Sequence, residues 1–309
     1  MPNPSVSRSH PEEKFSLPLF FLTLALTLAV FVTGLKFLAP AGVWRAQFAA
    51  AAWKGAAVFL ALTLLNCFIE YFFHRYVLHK PAVPLLSRFY KQHTRHHNHT
   101  RIVRRRTPGG REVPFVENKF PIINAAQGEA SFFPWYTLAV FAALLTPLLI
   151  LLQWALPSFP CFFAGFAALA GSLTLYEVFH AIEHWSLEKW GPLMENPRWG
   201  GFWRKVYSFH LRHHAVIDCN EAISGFFTLP VADWVFGTCV LPATLYEDGK
   251  ECAARQFKSP RPYWPIRMAD RLTDAMVRRR RAKARRKSGA DLEPGGEAIP
   301  AWPVVPAVE

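Results

Sequence analysis

An all-α integral membrane protein with four spans is the fold class that this sequence predicts, on three observations. Four apolar runs of about twenty residues recur along the 309-residue chain. Hydrophobic residues make up 51% of it, and the 35 Lys and Arg side chains are segregated by loop. A largely uncharged run of about twenty residues is the length that crosses the hydrocarbon core of a bilayer as a helix. A formal net charge of +13 would also suit a nucleic-acid binder. The loop segregation instead assigns the charge to membrane topology, and no nucleic-acid partner is expected.

Residues 1–14 are polar and read as a disordered tail. The first run spans about residues 16–35. It is long for a signal peptide's apolar core and lacks a clean small-x-small cleavage site, so it reads as a retained span. The second run covers about 55–73, the third 135–154 and the fourth 162–180, with the third and fourth joined by an uncharged link containing two prolines. Three Lys/Arg lie between spans one and two, ten in residues 80–130, none between spans three and four, and nineteen after span four. The positive-inside rule then places both termini, and the side carrying the heavy basic loops, in the cytoplasm.

Between the spans, residues 85–100 read as a helix and residues 101–127, with Arg104-Arg105-Arg106, Gly109-Gly110 and Pro114, as an irregular loop. The arginine run suits either a solvated topology signal or lipid phosphate. After span four, Trp199, Phe202, Trp203, Val206, Tyr207 and His210 recur at helical spacing, an aromatic face for the membrane interface or for packing. Residues 15–242 read as one membrane and catalytic domain. Residues 243–287 form a cytosolic segment whose amphipathic helix ends in RRRRAKARRK, which suits anionic lipid or a solvated surface. Residues 288–309 read as a disordered Pro-rich tail. The five cysteines have no CxxC spacing and read as reduced thiols.

Ten of the twelve histidines fall in four clusters: His74-x4-His79, His93-x2-His96-His97, His180-x3-His184 and His210-x2-His213-His214. Only His10 and His99 lie outside them. Residues three and four apart share a helix face, so HxxHH and HxxxH aim their imidazoles together. Neutral imidazole is the commonest metal ligand, and ten exceed the six positions of an octahedral ion, so two ions are expected. No cysteine and no regularly placed carboxylate joins the set. Imidazole ligation leaves iron redox-active and able to bind O₂, so iron is the expected metal, with zinc able to occupy the isolated protein. No catalytic residue is expected apart from the metal ligands. Glu70 lies one turn before His74, as a partner fixing its tautomer or as an interfacial carboxylate; Glu177 and Asn220 are further candidate partners of the ligands.

These residues resemble the membrane fatty acid hydroxylase and sterol desaturase superfamily over residues 55–242. Glu70-Tyr71 with His74-Arg75 and His79 resembles its first histidine box, and Tyr90 to His97 its second. Tyr176 to His184 is similar to a box of the fatty acid 2-hydroxylase branch. His210 to His214, Asn220 and Asp233-Trp234-Val235-Phe236-Gly237-Thr238 resemble the closing pattern. The resemblance implies a four-helix membrane bundle with a cytosolic helical cap and a dimetal centre on the ten histidines. It also implies O₂-dependent oxidation of a lipid chain, as hydroxylation or desaturation. The two electrons come from an external donor of cytochrome b5 or ferredoxin type. The long His184–His210 interval and residues 101–127 depart from the family pattern and leave fatty acyl, sterol, hopanoid or carotenoid substrates open. The Ala/Arg/Pro-rich composition favours a bacterial inner membrane over the endoplasmic reticulum. Rival readings are a membrane metal transporter, a di-haem cytochrome and a non-catalytic metal-binding lipid protein. The transporter is disfavoured because the clusters sit at helix ends rather than in broken helices at the midplane.

Overall fold

The computed structural model describes residues 17–99, 103–106, 112–115, 131–243, 245–247 and 252–287. The expectations for both terminal tails concern residues outside this set. The chain divides into two compact units, Met1–Asn66 with Pro121–His184, and Cys67–Phe120 with Trp185–Glu309. The expected single domain 15–242 is thus distributed over both, and residues 243–287 belong to the second. Among the described residues, four helices are long and apolar enough to cross a membrane: Pro18–Leu38, Ala52–Leu78, Thr137–Ala155 and Cys161–Glu183.

The first unit holds α1 (Leu17–Leu38), α2 (Ala41–Ala49), the start of α3 (Ala52–Phe73), α5 (Thr137–Ala155) and α6 (Cys161–Glu183). Leu35, Val58, Leu62, Leu145, Leu149 and Ala168 contribute to its core. Gly165 lets α5 and α6 approach closely: a Cβ there would lie 2.4 Å from Leu149 Cδ2. The first N–H groups of a helix have no partner within the helix, and apolar surroundings make that costly. Here Pro160 precedes α6 without a side-chain cap. Two glutamines supply the acceptors instead. Gln47 Oε1 of α2 accepts from Phe162 N and Phe163 N at 3.2 and 3.1 Å, and Gln153 Oε1 of α5 accepts from Cys161 N at 3.3 Å. Gln47 Nε2 also donates to Gln153 Oε1 at 2.9 Å, which ties the two caps together.

The second unit begins with the last turns of α3, which pass directly into a π-helical turn at His74–Leu78. Its marker is the His79 N–H donating to the His74 carbonyl at 3.0 Å. A short 3₁₀ turn (Pro84–Leu86) leads to α4 (Ser87–His99), followed by the strands β1 (Val103–Arg106) and β2 (Glu112–Phe115). The strands pair antiparallel, Val103 opposite Phe115 and Arg106 opposite Glu112. This corrects the irregular-loop expectation for those residues: the Gly109-Gly110 pair separates two short segments that pair with each other.

The unit continues with α7 (Leu187–Met194), α8 (Gly200–Ala215), α9 (Val231–Phe236), a 3₁₀ turn (Ala254–Phe257) and α10 (Trp264–Lys287). Cys67, Tyr71, Ala222, Ala232 and Ile266 form a buried core here. On α8, Trp203 and Tyr207 pack on the buried Trp190 of α7, with ring centroids 6.2 and 5.4 Å away, while Trp199 and Phe202 remain exposed. The aromatic face is therefore divided between packing and exposure. Between α8 and α9 the backbone turns through left-handed residues, Gly225 at φ 52° among them.

Gly225→Ala is expected to lower the thermal midpoint of the detergent-solubilised protein by several degrees. The added Cβ would sit 2.3 Å from the Leu229 carbonyl oxygen in a conformation that side chains disfavour by about 1–3 kcal/mol. Gly201→Ala, in α8 with nothing within 4 Å of the new Cβ, serves as the control that keeps or raises the midpoint.

Candidate metal centre

Eight of the ten clustered histidines belong to the second unit. One ligand nitrogen from each of His74, His79, His93, His97 and His213 lies within 4.8 Å of every other. His96, His210 and His214 form an adjoining set that meets the same distance limit. The remaining two, His180 and His184, belong to the first unit at the end of α6, with their Nε2 atoms 3.2 Å apart. All ten are buried except His79, which is half-buried. The side chains of His10 and His99 lie outside the described residues.

Local structure explains each spacing. His93, His96 and His97 share one face of α4, and His210, His213 and His214 share one face of α8, as i, i+3, i+4 positions do. His74 and His79 are five apart. On an α-helix of 3.6 residues per turn, that separation would turn them about 140° from each other. The wider π turn between them brings both rings to the same side, with centroids 4.9 Å apart. Such π segments occur often at functional sites. The x4 interval was the signal in the sequence for this turn, since neither α-helical spacing accounts for it.

The nitrogens converge at metal-ligand spacing. His74 Nε2 lies 2.9 Å from His93 Nε2, His79 Nε2 3.0 Å from His213 Nε2 and 3.1 Å from His93 Nε2, and His97 Nε2 3.1 Å from His93 Nε2. In the adjoining set, His214 Nε2 and His210 Nε2 are 3.1 Å apart. Two nitrogens bound at about 2.1 Å to one ion at right angles would be about 3 Å apart. The two sets share a wall, because the rings of His97 and His214 stack with centroids 4.2 Å apart.

Tautomers are set from behind. His74 Nδ1–H donates to the Glu221 carbonyl at 2.6 Å, and His213 Nδ1–H donates to the Cys219 carbonyl at 2.7 Å. Each bond leaves the Nε2 lone pair facing the cluster, the arrangement that a metal-bound imidazole uses. Burial, with neighbouring histidines adding to it, pushes His79 and His97 well below the usual imidazole range. Burial and the nearby His74 do the same for His213, against the opposing hydrogen bond to Cys219. Neutral imidazoles with converging lone pairs repel one another unless a cation lies between them. The donor set therefore fits a bound metal ion.

The segment carrying those two carbonyls is held on several sides. Asp233 accepts from Glu221 N and Ala222 N at 3.0 and 2.9 Å and from Thr238 Oγ1 at 2.7 Å. Asn220, at φ 56°, donates to the Phe209 and Val240 carbonyls at 2.7 and 2.8 Å and accepts from Val240 N at 2.7 Å. Asn tolerates this left-handed conformation better than most residues. Arg212 Nη2 donates to the Lys258 carbonyl at 2.7 Å and Nη1 lies 3.4 Å from Cys219 Sγ.

Of the three candidate partners, Asn220 thus supports the α8 backbone beside His210 and the segment that carries the two carbonyls. Glu70 does not reach His74: its carboxylate accepts from Ser224 Oγ at 2.5 Å, Ser224 N at 2.7 Å and Gly225 N at 3.1 Å. Glu177, in the first unit, accepts from Phe133 N at 2.9 Å.

Sequence reasoning missed the ion pairs behind the π turn. Arg75 donates from Nε and Nη2 to the two oxygens of Asp270 at 2.9 and 2.8 Å, and from Nη1 to Glu221 Oε1 at 2.9 Å. Lys80 reaches Asp274 at 2.8 Å. Although burial alone would raise Asp270, the Arg75 guanidinium holds its carboxyl below the ordinary value. The only signal in the sequence was two carboxylates four apart in an otherwise basic helix. Comparison of the chain with protein-family models, with curated proteins and with solved structures finds no match.

Asp233→Ala is expected to lower the amount of metal retained per chain, measured by elemental mass spectrometry after dialysis. The change strands two buried N–H groups, at about 1–3 kcal/mol each, and frees the carbonyls that orient His74 and His213. Loss of such orienting contacts weakens metal binding about 10–100-fold. Metal retention equal to wild type would show that the segment is not what positions the ligands.

Proposed function

We propose that this chain is an O₂-dependent membrane lipid oxidoreductase that hydroxylates a C–H bond of a fatty acyl chain or related lipid. The carrying observation is the convergence of buried, tautomer-fixed imidazoles, with no cysteine among them, at the end of an apolar helix long enough to span a membrane. Two metal ions are assigned, with iron as the working metal. One is held by His74, His79, His93, His97 and His213. The other is held by His96, His210 and His214; the sequence resemblance adds His180 and His184 to the ligand set of the centre. Iron bound by imidazoles supplies activation of O₂ toward an unactivated C–H bond. A substrate of that kind is drawn from the lipid around the spans, and two electrons come from a separate donor of cytochrome b5 or ferredoxin type.

The chain's own residues have three tasks in this proposal. The Glu221 and Cys219 carbonyls hold His74 and His213 as Nδ1–H tautomers. Burial excludes water from the cluster and keeps His79, His97 and His213 neutral. Positioning one carbon of a long chain beside such a site is the protein's main lever on rate. Sterol, hopanoid and carotenoid chains, and desaturation in place of hydroxylation, fit the same constellation. The wider architecture proposed is a four-helix membrane bundle with a cytosolic helical cap, both termini cytoplasmic, in a bacterial inner membrane.

Comparative lipid mass spectrometry tests the reading. Cells expressing the wild type in air are expected to accumulate a lipid heavier by one oxygen or lighter by two hydrogens, absent with His213→Ala or without oxygen. An unchanged lipid panel with metal fully bound would sink the proposal. Metal stoichiometry tests the assignment of ligands. Wild type is expected to retain two ions per chain and the His180→Ala/His184→Ala double variant one. Two ions in that variant would remove the pair from the centre.

A further inference from the structure

The last helix, α10, has two faces of opposite character. Ile266 lies in the buried core with Tyr71 and Ala222, and Asp270 and Asp274 pair with Arg75 and Lys80. These residues and Val277 occupy one side of the helix. At about 100° per residue, Trp264, Met268, Leu272 and Met276 form a stripe on roughly the opposite side. They are 66%, 53%, 60% and 44% exposed. Four large apolar side chains facing outward along three turns need a cover. Arg279 and Lys283 continue the same face. Residues 278–287 contain eight Lys/Arg and no acidic residue.

The position of this face identifies what covers it. Tyr76 donates to the Ile266 carbonyl at 3.5 Å, and Tyr263 N donates to the Phe236 carbonyl at 3.0 Å. The start of α10 is thereby fixed beside the end of the apolar helix Ala52–Leu78, whose Ile69 and Phe72 are themselves exposed. Trp234 and Val235 of α9 and Tyr263 add further exposed apolar surface in the same unit. A stripe of Trp, Met and Leu next to a basic run is the composition of a helix that lies in the plane of an anionic membrane surface. Each basic side chain near such a surface is drawn to it by about 1 kcal/mol.

We propose that α10 is an interfacial helix that lays its Trp264–Met268–Leu272–Met276 stripe on the bilayer the chain itself spans. Arg279 and Lys283, which continue that face, would bind anionic headgroups. Asp270 and Asp274 anchor the other face to the π turn, so the helix joins the membrane surface to the segment that carries His74 and His79. This inference rests on the membrane-spanning reading and not on the proposed oxidation.

The test uses the full chain in lipid nanodiscs, with a spin label at Leu272→Cys in a Cys239→Ser background; the other four cysteines are buried. Accessibility of the label to a water-soluble nickel complex is expected to be severalfold lower in discs containing phosphatidylglycerol than in purely zwitterionic discs. Arg279→Glu/Lys283→Glu, at two exposed positions, is expected to abolish that difference while leaving the helical circular dichroism unchanged. Equal nickel access in both disc types would overturn the proposal. Protection that appears in detergent together with a doubled particle mass would also overturn it, by assigning the stripe to a second copy of the chain.

Discussion

Two backbone hydrogen bonds set the chemistry of the histidine cluster: Nδ1–H of His74 to the Glu221 carbonyl and Nδ1–H of His213 to the Cys219 carbonyl. Without them each ring could present either nitrogen inward, and the cluster would be a mixture of donors and acceptors. With them, the Nε2 lone pairs face inward. The carbonyls come from one short segment, so its placement governs both the α3 side and the α8 side of the site. Asp233, Asn220 and Thr238 are the residues that place it.

The π turn at the end of α3 is held in a comparable way. Arg75, buried at its start, bridges Glu221 of that same segment and Asp270 of α10. A buried ion pair is weak support for stability, because desolvation offsets most of the attraction. Its use here is better understood as registry: one guanidinium aligns the π turn, the carbonyl-bearing segment and the last helix. The geometry is specific, since a guanidinium presents a planar fork that a lysine cannot reproduce. In the turn, His74 thus points toward the histidine cluster and Arg75 toward the scaffold.

The first unit solves a different problem. Apolar surroundings cannot satisfy backbone groups, so each helix end must find a partner inside the protein. The paired glutamines Gln47 and Gln153 do this at the start of α6, where proline precludes the ordinary cap. Gln47 of the short α2 is buried, and Val43 and Trp44 of the same helix pack on the core. The same helix, α6, carries His180 and His184 at its far end.

Much was legible in the residues alone. Run length and charge segregation gave the four apolar helices, because the requirement to span about 30 Å of hydrocarbon acts on composition directly. HxxHH gave the convergence of six histidines, because helical periodicity acts over four residues. His74-x4-His79 was legible only as an anomaly, and the π turn that resolves it depends on Arg75 meeting partners 146 and 195 positions away. The partners of Glu70 were left open for the same reason. Its neighbours in sequence suggested His74, whereas its hydrogen-bond partners are Ser224 and Gly225. The pairing of residues 103–106 with residues 112–115 was hidden by the glycines that lie between them in the sequence. The sequence by itself determined the spans and the imidazole inventory, which follow from local periodicity. Only the tertiary structure decided the tautomers, the buried ion pairs and the two faces of α10, because each depends on a bond between segments far apart in the chain.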